Sequence, residues 1–429
     1  MAEGSAFTRR SELAITGEIV AHQREWLAEV RDQVAGGEPF ALLSADAPHE
    51  IYRAFDIPYV VVQWWSSVIA ARQRAPQCLA ALRAAGYPDD REQYSALGLG
   101  ELLLDDPSGT PWGGLPVPTI LSAPTTSDGI RKLFEAWSTH TGAAFYPIEH
   151  AVDPRLDLPR DWWERLPHHW DECLGPERLD LMADELRGLI GVLAATTGRS
   201  FSEARFAEVM ALANEHAEWN RKTRDLIAAT VPVPVSAAET MTAAMIPQWH
   251  RGSEWGRDTA RRFYDEVAAR RDASQSVCPS ERVRLMWLGR ALWSSLGFYR
   301  QFEEAHGAVF VWSMYLGVAA DAYLRYPDGR DPLRTLAARF VPMGEEIRMP
   351  SWSAPWHLKE AQLHQVDGVV SFGEDDYFST RLLEAAGIPV LSVRATNVDR
   401  RTWDEASLGA LLVEFIEEQV RPRAERLRA

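Results

Sequence analysis

Three cysteines in 429 residues, Cys78, Cys173 and Cys278, stand far apart, with no CxxC pair and no His-rich neighbour. They cannot build a disulfide framework or, by themselves, a thiolate metal cage. Basic residues are also short: 45 Lys and Arg face 61 Asp and Glu, a net charge of −16. That balance leaves no basic face to displace counterions from nucleic acid. No apolar run approaches the roughly 20 residues that a membrane span needs, and residues 1–10 lack an apolar signal core. GxGxxG, P-loop, GxSxG, HExxH and CxxC motifs are all missing, so the usual nucleotide, hydrolase and zinc readings lose their support. The expectation is a soluble cytoplasmic protein that engages neither nucleic acid nor membrane.

Tryptophan is plentiful instead, at 17 copies, many of them in polar or turn-rich stretches: Trp64-Trp65, Trp162-Trp163, Trp249, Trp255, Trp293, Trp352 and Trp356. Such rings normally fill cores. The alternative is a cavity or subunit interface lined with indoles.

Residues 13–34 carry apolar side chains at helical spacing and close on Gly36-Gly37, an amphipathic helix with a glycine stop. Strands are expected at 39–44, 59–63 (the β-branched run YVVVQ), 119–122 and 144–148, with helices at 48–55, 66–85 and 127–141. From 161 to 271 the pattern turns helical, with candidates at 179–197, 202–229 and 253–271. Alternation resumes at 284, with strands at 284–288, 309–314, 368–371 and 389–393 and helices at 294–306, 332–340, 377–386 and 403–420. Alternating strands and helices predict an α/β fold of two Rossmann-like open parallel-sheet domains joined by a helical segment. The expected divisions are an N-terminal helix (1–37), a first α/β domain (38–155), a helical connector (156–275) and a second α/β domain (276–429).

Ligands of such sheets bind beyond the carboxyl ends of the strands. Four loops there, 44–50, 122–128, 289–295 and 371–377, each place hydroxyl or carboxylate side chains just before a helix. N-capping explains most such residues singly. Together they suggest a cleft in which helix N-termini offer positive ends to an anionic ligand. Ser44, His49 and Glu50 are candidate acid–base groups, because burial tunes such side chains toward neutrality. His168, His169 and His250 read as surface residues. Glu374-Asp375-Asp376 reads as a cap or as a hard-metal ligand set.

Several segments, in order, resemble a known family. They are Pro48-His49-Glu50-Ile51-Tyr52-Arg53-Ala54-Phe55, similar to a P-E-E-I-x-x-A signature; Gly86-Tyr87-Pro88 with Gln93-Tyr94-Ser95; and Lys132-Leu133-Phe134-Glu135. Further on come Thr197-Gly198-Arg199, Arg284-Leu285-Met286-Trp287-Leu288-Gly289 with Trp293, Gly387-Ile388-Pro389-Val390-Leu391 and Asp399-Arg400-Arg401-Thr402-Trp403. The chain resembles the subunits of 2-hydroxyacyl-CoA dehydratases and benzoyl-CoA reductases. The resemblance implies a paired α/β architecture, an acyl-CoA ligand and an iron–sulfur cluster held by cysteines from three loops. By the flanking residues, those cysteines fall where this chain has Glu92, Ser127 and the stretch 374–376, none of which carries sulfur. Iron–sulfur ligation needs thiolates, so the expectation is a divergent, cluster-less member.

Three readings follow. The first is an enzyme, a lyase that keeps the acyl-CoA cleft and performs polar hydration or dehydration. Glu50 and Glu92 would be its proton carriers, assisted by His49 and Ser44. Thr125, Thr126, Ser127, Arg131, Arg290, Trp293 and Asp375 would contact the CoA ester. The second is a non-catalytic subunit of a heterodimer whose paralogous partner carries the chemistry. The third is a rebuilt site in which Glu92 and Asp375 or Asp376 bind a hard cation. No resident metal or cofactor is expected in this chain, a CoA thioester is the expected substrate, and pairing as a homodimer or with a related subunit is expected from the family.

Overall fold

Mostly apolar runs make the strands of the two four-stranded sheets, as burial in parallel sheets favours. The computed structural model describes residues 8–9, 12–104, 107–125, 127–150, 158–343, 352–373 and 376–429. Strand β1 (Thr8–Arg9) and helix α1 (Ala14–Ala35) lead into a first unit of β2 (Ala41–Leu43), α2 (His49–Ala54), β3 (Tyr59–Val61), α3 (Val62–Ala71), α4 (Ala75–Ala84), α5 (Gln93–Leu102), β4 (Ile120–Pro124), α6 (Asp128–Thr141) and β5 (Ala144–Ile148). A helical layer follows: α7 (Trp162–Cys173), α8 (Pro176–Thr197), α9 (Glu203–Ala229), α10 (Ala237–Gln248) and α11 (Glu254–Asp272). After β6 (Gln275–Ser276), which pairs with β1, the second unit runs β7 (Val283–Leu288), α12 (Glu303–His306), β8 (Ala308–Ser313), α13 (Met314–Asp321), α14 (Pro332–Met343), α15 (Ser353–Leu363), β9 (Gly368–Phe372), α16 (Tyr377–Ala385), β10 (Val390–Val393), α17 (Glu405–Phe415) and α18 (Arg421–Arg428).

The two sheets are each four-stranded and parallel, in the orders β3-β2-β4-β5 and β8-β7-β9-β10. Counted within its own unit, each sheet has the order 2-1-3-4. Register places Leu42 beside Val60 and Leu121 in the first sheet, and Val370 beside Trp287 and Leu391 in the second. Strand order therefore reverses between β2 and β4, and again between β7 and β9. Crevices open at such reversals, above the carboxyl ends of the strands. In the second sheet the two loops touch: Gly289 has φ +120°, and a β-carbon there would collide with the Phe372 carbonyl oxygen. Strands β5 and β10 lie at sheet edges and are partly exposed, whereas β3 and β8, at the opposite edges, are buried.

Several helices depart from the sequence pattern. The expected helix at 66–85 is two, α3 and α4, broken where Gln73 takes a left-handed φ of +61°. Segment 294–306 is a 3-10 run (Trp293–Arg300) followed by α12, and the C-terminal helix divides at a π turn (Ile416–Val420) into α17 and α18. Helices α5, α10, α13 and α15 are short and buried along most of their length. Such helices have no apolar stripe to read. The tryptophans largely fill the core: Trp64, Trp65, Trp162, Trp352 and Trp356 are buried, and Trp162 stacks on Trp352 at 4.6 Å between ring centres.

Helix α9 meets the second unit through buried charge. Arg224 bonds Asp321 Oδ2 at 2.7 Å and Glu360 Oε1 at 2.9 Å, while Lys359 and Arg221 also reach Asp321, at 2.9 and 3.1 Å. Trp312 and Trp356 donate their indole N–H groups to Glu360 and Asp321. Burial alone would raise the Asp321 pKa, but Arg224, Lys359 and Arg221 hold it down to about 2. Glu360 is lowered by Arg224 and Lys359 in the same way. Both carboxylates thus have folded pKa values below those of the unfolded chain, about 4. Their stabilisation is complete above that value and is lost as pH falls through the folded values. The melting temperature is accordingly expected to fall steeply between about pH 4 and pH 2. Calorimetric scans across that range check it; a flat profile would contradict the network. Arg224→Met, which takes one cation from each of two buried carboxylates, is expected to cost about 3 kcal/mol of unfolding free energy.

Candidate functional site

Strand β2 ends at Leu43 and β4 at Pro124, so the first crevice is walled by residues 44–48 and by 125 and 127. Ser127 caps helix α6: its Oγ accepts from the Ile130 N–H at 3.1 Å. The same hydroxyl donates to Glu92 Oε1 at 3.1 Å. Glu92 immediately precedes α5, is half-buried, and has a left-handed backbone (φ +46°). Its stem crosses Gly129 so closely that a β-carbon there would lie 2.7 Å from Glu92 Cγ. No cation pairs with Glu92 among the described residues.

The first turn of α5 stands between the two units. Tyr94 donates its hydroxyl to the Gln63 carbonyl at 2.8 Å, and burial lifts that phenol well above its ordinary pKa, so it stays a donor. Gln63 accepts from the Ala45 N–H at 2.9 Å and donates to Ser95 at 3.3 Å. On the other side Gln93 donates to Asp399 Oδ2 at 3.0 Å, and Arg401 bridges Asp399 and Asp89 at 2.7 and 3.2 Å. The Arg401 guanidinium holds the Asp399 carboxyl down at about 2. The Arg290 guanidinium lies over the Tyr94 ring, 5.4 Å from its centre. Arg290 is exposed and pairs with no acid among the described residues. Its loop is held by two phenols: Tyr315 accepts from the Ala291 N–H at 2.9 Å and Tyr299 from the Leu292 N–H at 3.0 Å. Asn397 donates to the Ala291 carbonyl.

Of the residues singled out from sequence, Glu92, Ser127 and Arg290 therefore gather around the start of α5. Trp293 is buried beside Tyr315, at 5.5 Å between ring centres. Ser44 is buried, and its N–H donates to the Ser122 carbonyl. Thr125 donates to Glu149 at 2.8 Å, and Arg131, expected on a phosphate, is taken up by Glu135 at 3.2 Å and Glu149 at 3.8 Å. Thr126, Glu374 and Asp375 lie outside the described residues. Asp376 is an N-cap, accepting from the Ser379 N–H at 3.1 Å, with His357 Nδ1 3.5 Å from its other oxygen. His250, read as a surface residue, is buried against Trp26 and Gln23.

The acid–base expectations for Glu50 and His49 need correction. Glu50 is fully buried, and burial alone would raise its pKa as expected, but Arg251 at 2.8 Å and Arg339 at 2.7 Å reverse the direction. It is a fixed anion rather than a group poised near neutrality. His49 packs between Tyr59 and Trp249, with Nε2 3.2 Å from the Ser44 carbonyl. Burial, with Arg251 nearby, pushes its pKa well below the usual imidazole range, so it is neutral. Gln63, Tyr94, Asp399 and Arg401 had no role assigned from the sequence, although the last three lie in segments that carry the family resemblance. Only Gln63 had a local signal, as the first polar residue after the run Tyr59-Val60-Val61-Val62.

The cysteines lie elsewhere. Cys78 is buried and donates to Glu101 at 3.2 Å, Cys278 is buried near the Glu303 carbonyl, and Cys173 is half-buried on α7. No group of three or more His, Cys, Asp or Glu with metal-binding geometry occurs among the described residues.

Residues 44–428 match the model of the 2-hydroxyglutaryl-CoA dehydratase D-component family. Over 262 residues the chain is 21% identical to the (R)-phenyllactyl-CoA dehydratase alpha subunit of Clostridium sporogenes, a stretch covering 61% of this chain and 60% of that relative. The family match begins at the loop after β2 and runs through the rest of both units to the last helix, and the chain belongs to the 2-hydroxyglutaryl-CoA dehydratase D-component family.

Proposed function

We propose that this chain binds an acyl-CoA thioester between its two units and performs a polar dehydration or hydration on the acyl group, without an iron–sulfur cluster. The observation that carries the reading is the Glu92–Ser127 pair, on the first unit, gathered with the unpaired Arg290 around the start of α5. At the positions where the family's cluster ligands are expected, the described donors are a carboxylate and a hydroxyl already bonded to each other. Such oxygen donors do not suit an iron–sulfur cluster, which is built on thiolates. The polar route asks for a hydroxyl on the β-carbon of the acyl chain, where the thioester makes the α-proton acidic. Glu92 takes that α-proton and returns it to the departing hydroxyl, which leaves as water; Ser127 holds one carboxylate oxygen in place. Arg290 supplies positive charge to the thioester oxygen as electron density moves onto it.

A second reading is favoured by the relative's name, which is that of an alpha subunit. In it the chain is one half of a heterodimer and its partner performs the chemistry. In either reading the chain associates, as a homodimer or with a related subunit. Light scattering at micromolar concentration, alone and with the product of a neighbouring gene, is expected to show a dimer; a strict monomer in both cases contradicts this.

Calorimetry with 3-hydroxyacyl-CoA and enoyl-CoA esters is expected to detect binding that Arg290→Glu weakens about tenfold or more. Glu92→Gln is expected to lower kcat about 10²- to 10⁴-fold with KM little changed. Binding with unaltered turnover in Glu92→Gln transfers the chemistry to a partner; no binding of any CoA ester at millimolar concentration rejects the site. Protein purified without oxygen is expected to be colourless, and stoichiometric iron and sulfide would overturn the cluster-less reading.

A further inference from the structure

A cavity of about 430 Å³ lies between the start of α4 and the two 3-10 turns Pro107–Gly109 and Pro111–Gly113. Arg72, Gln73, Arg74, Gln77, Thr110 and Trp112 line it. Its charge runs against that of the chain. Arg74 is bonded to Glu101 at 3.3 Å, whereas Arg72 is exposed and pairs with no acid among the described residues. Two further guanidiniums attend the Trp112 wall: Arg24 lies 5.6 Å from the ring centre and Arg31 donates to the Trp112 carbonyl. Local positive potential in a protein of net charge −16 is what a polyanion needs in order to dock.

The backbone is also unusual at this place. Gln73 and Trp112 have left-handed φ angles of +61° and +50°. Such conformations are costly for residues other than glycine and gather at ligand-binding sites. The strained turn holds the half-buried indole of Trp112 as a cavity wall, and the strained break before α4 sends Gln73 across to the second unit, where it donates to the Ser294 carbonyl at 2.7 Å. A flat aromatic wall beside unpaired guanidinium suits a purine ring carrying phosphate. Helix α5 links the two places: its ten residues, about 15 Å long, run from Glu92 at one end to Glu101, the partner of Arg74, near the other.

We infer that this cavity takes the phosphorylated nucleotide end of the CoA thioester, whose acyl end reaches Glu92 and Ser127. The inference rests on the acyl-CoA reading above. Calorimetry with adenosine 3′,5′-bisphosphate, inorganic phosphate, an S-acyl pantetheine and the matching acyl-CoA tests the two separately. Expected are binding of the bisphosphate and the acyl-CoA, both weakened about tenfold or more by Arg72→Glu. Thermal scans of the variant are expected to match the wild type, since Arg72 is exposed and unpaired. Acyl-CoA that binds equally well to Arg72→Glu overturns the nucleotide site and leaves the acyl-CoA reading standing. So does a loss of affinity as large for S-acyl pantetheine as for acyl-CoA. Inorganic phosphate binding as tightly as the bisphosphate overturns the assignment of a nucleotide. If the bisphosphate binds through Arg72 and no acyl-CoA does, the cavity stands as a nucleotide site and the acyl-CoA reading falls.

Discussion

Two arginines close on one carboxylate, Glu50, where the first unit, the helical layer and α14 meet. All three side chains are buried, and the one carboxylate, set between the two guanidiniums, offsets part of their charge out of water. Arg251 also donates to the Ala47 carbonyl at 3.0 Å. The loop after β2 is thereby tied to the turn between α10 and α11, and Gln63 ties the same loop to α5. The position of Glu92 depends on that chain of bonds. Glu50, whose sequence setting suggests a proton carrier, is instead the anchor of the loop after β2.

The two units bring unlike chemistry to the start of α5. From the first come a carboxylate and a hydroxyl, Glu92 and Ser127. From the second comes a guanidinium, Arg290, on a loop held by phenols rather than by acids, which leaves its charge uncompensated. Asp399 does take up a cation, Arg401, but at the rim, where it fastens α5 to the second unit. These negative and positive groups are thus sorted by unit, with Arg290 over the ring of Tyr94.

Strands and crevice loops were legible in the sequence because parallel strands demand consecutive apolar residues and their loops demand caps. All eight strands of the two sheets fall where the alternation places them, and the loops singled out are those at the reversals of strand order. Helices α5, α10, α13 and α15 were not legible, since burial on all sides erases amphipathic periodicity. The ionisation of Glu50 was not legible either: its partners lie 201 and 289 residues along the chain, and without them burial argues for the opposite direction. The family resemblance brings Glu92 and Ser127 to one site, but the helix that sets their contact, α5, left no pattern in the sequence.

The partly exposed edges of the sheets have a consequence for assembly. The buried edges, β3 and β8, need no protection from neighbouring chains. The other two carry imino acids: Pro147 lies within β5, and Pro389 directly precedes β10. A proline has no N–H to offer an incoming strand. Edges blunted in this way resist the open-ended strand addition that leads to aggregation. The association proposed above would therefore run through side chains on helices and loops rather than through added strands.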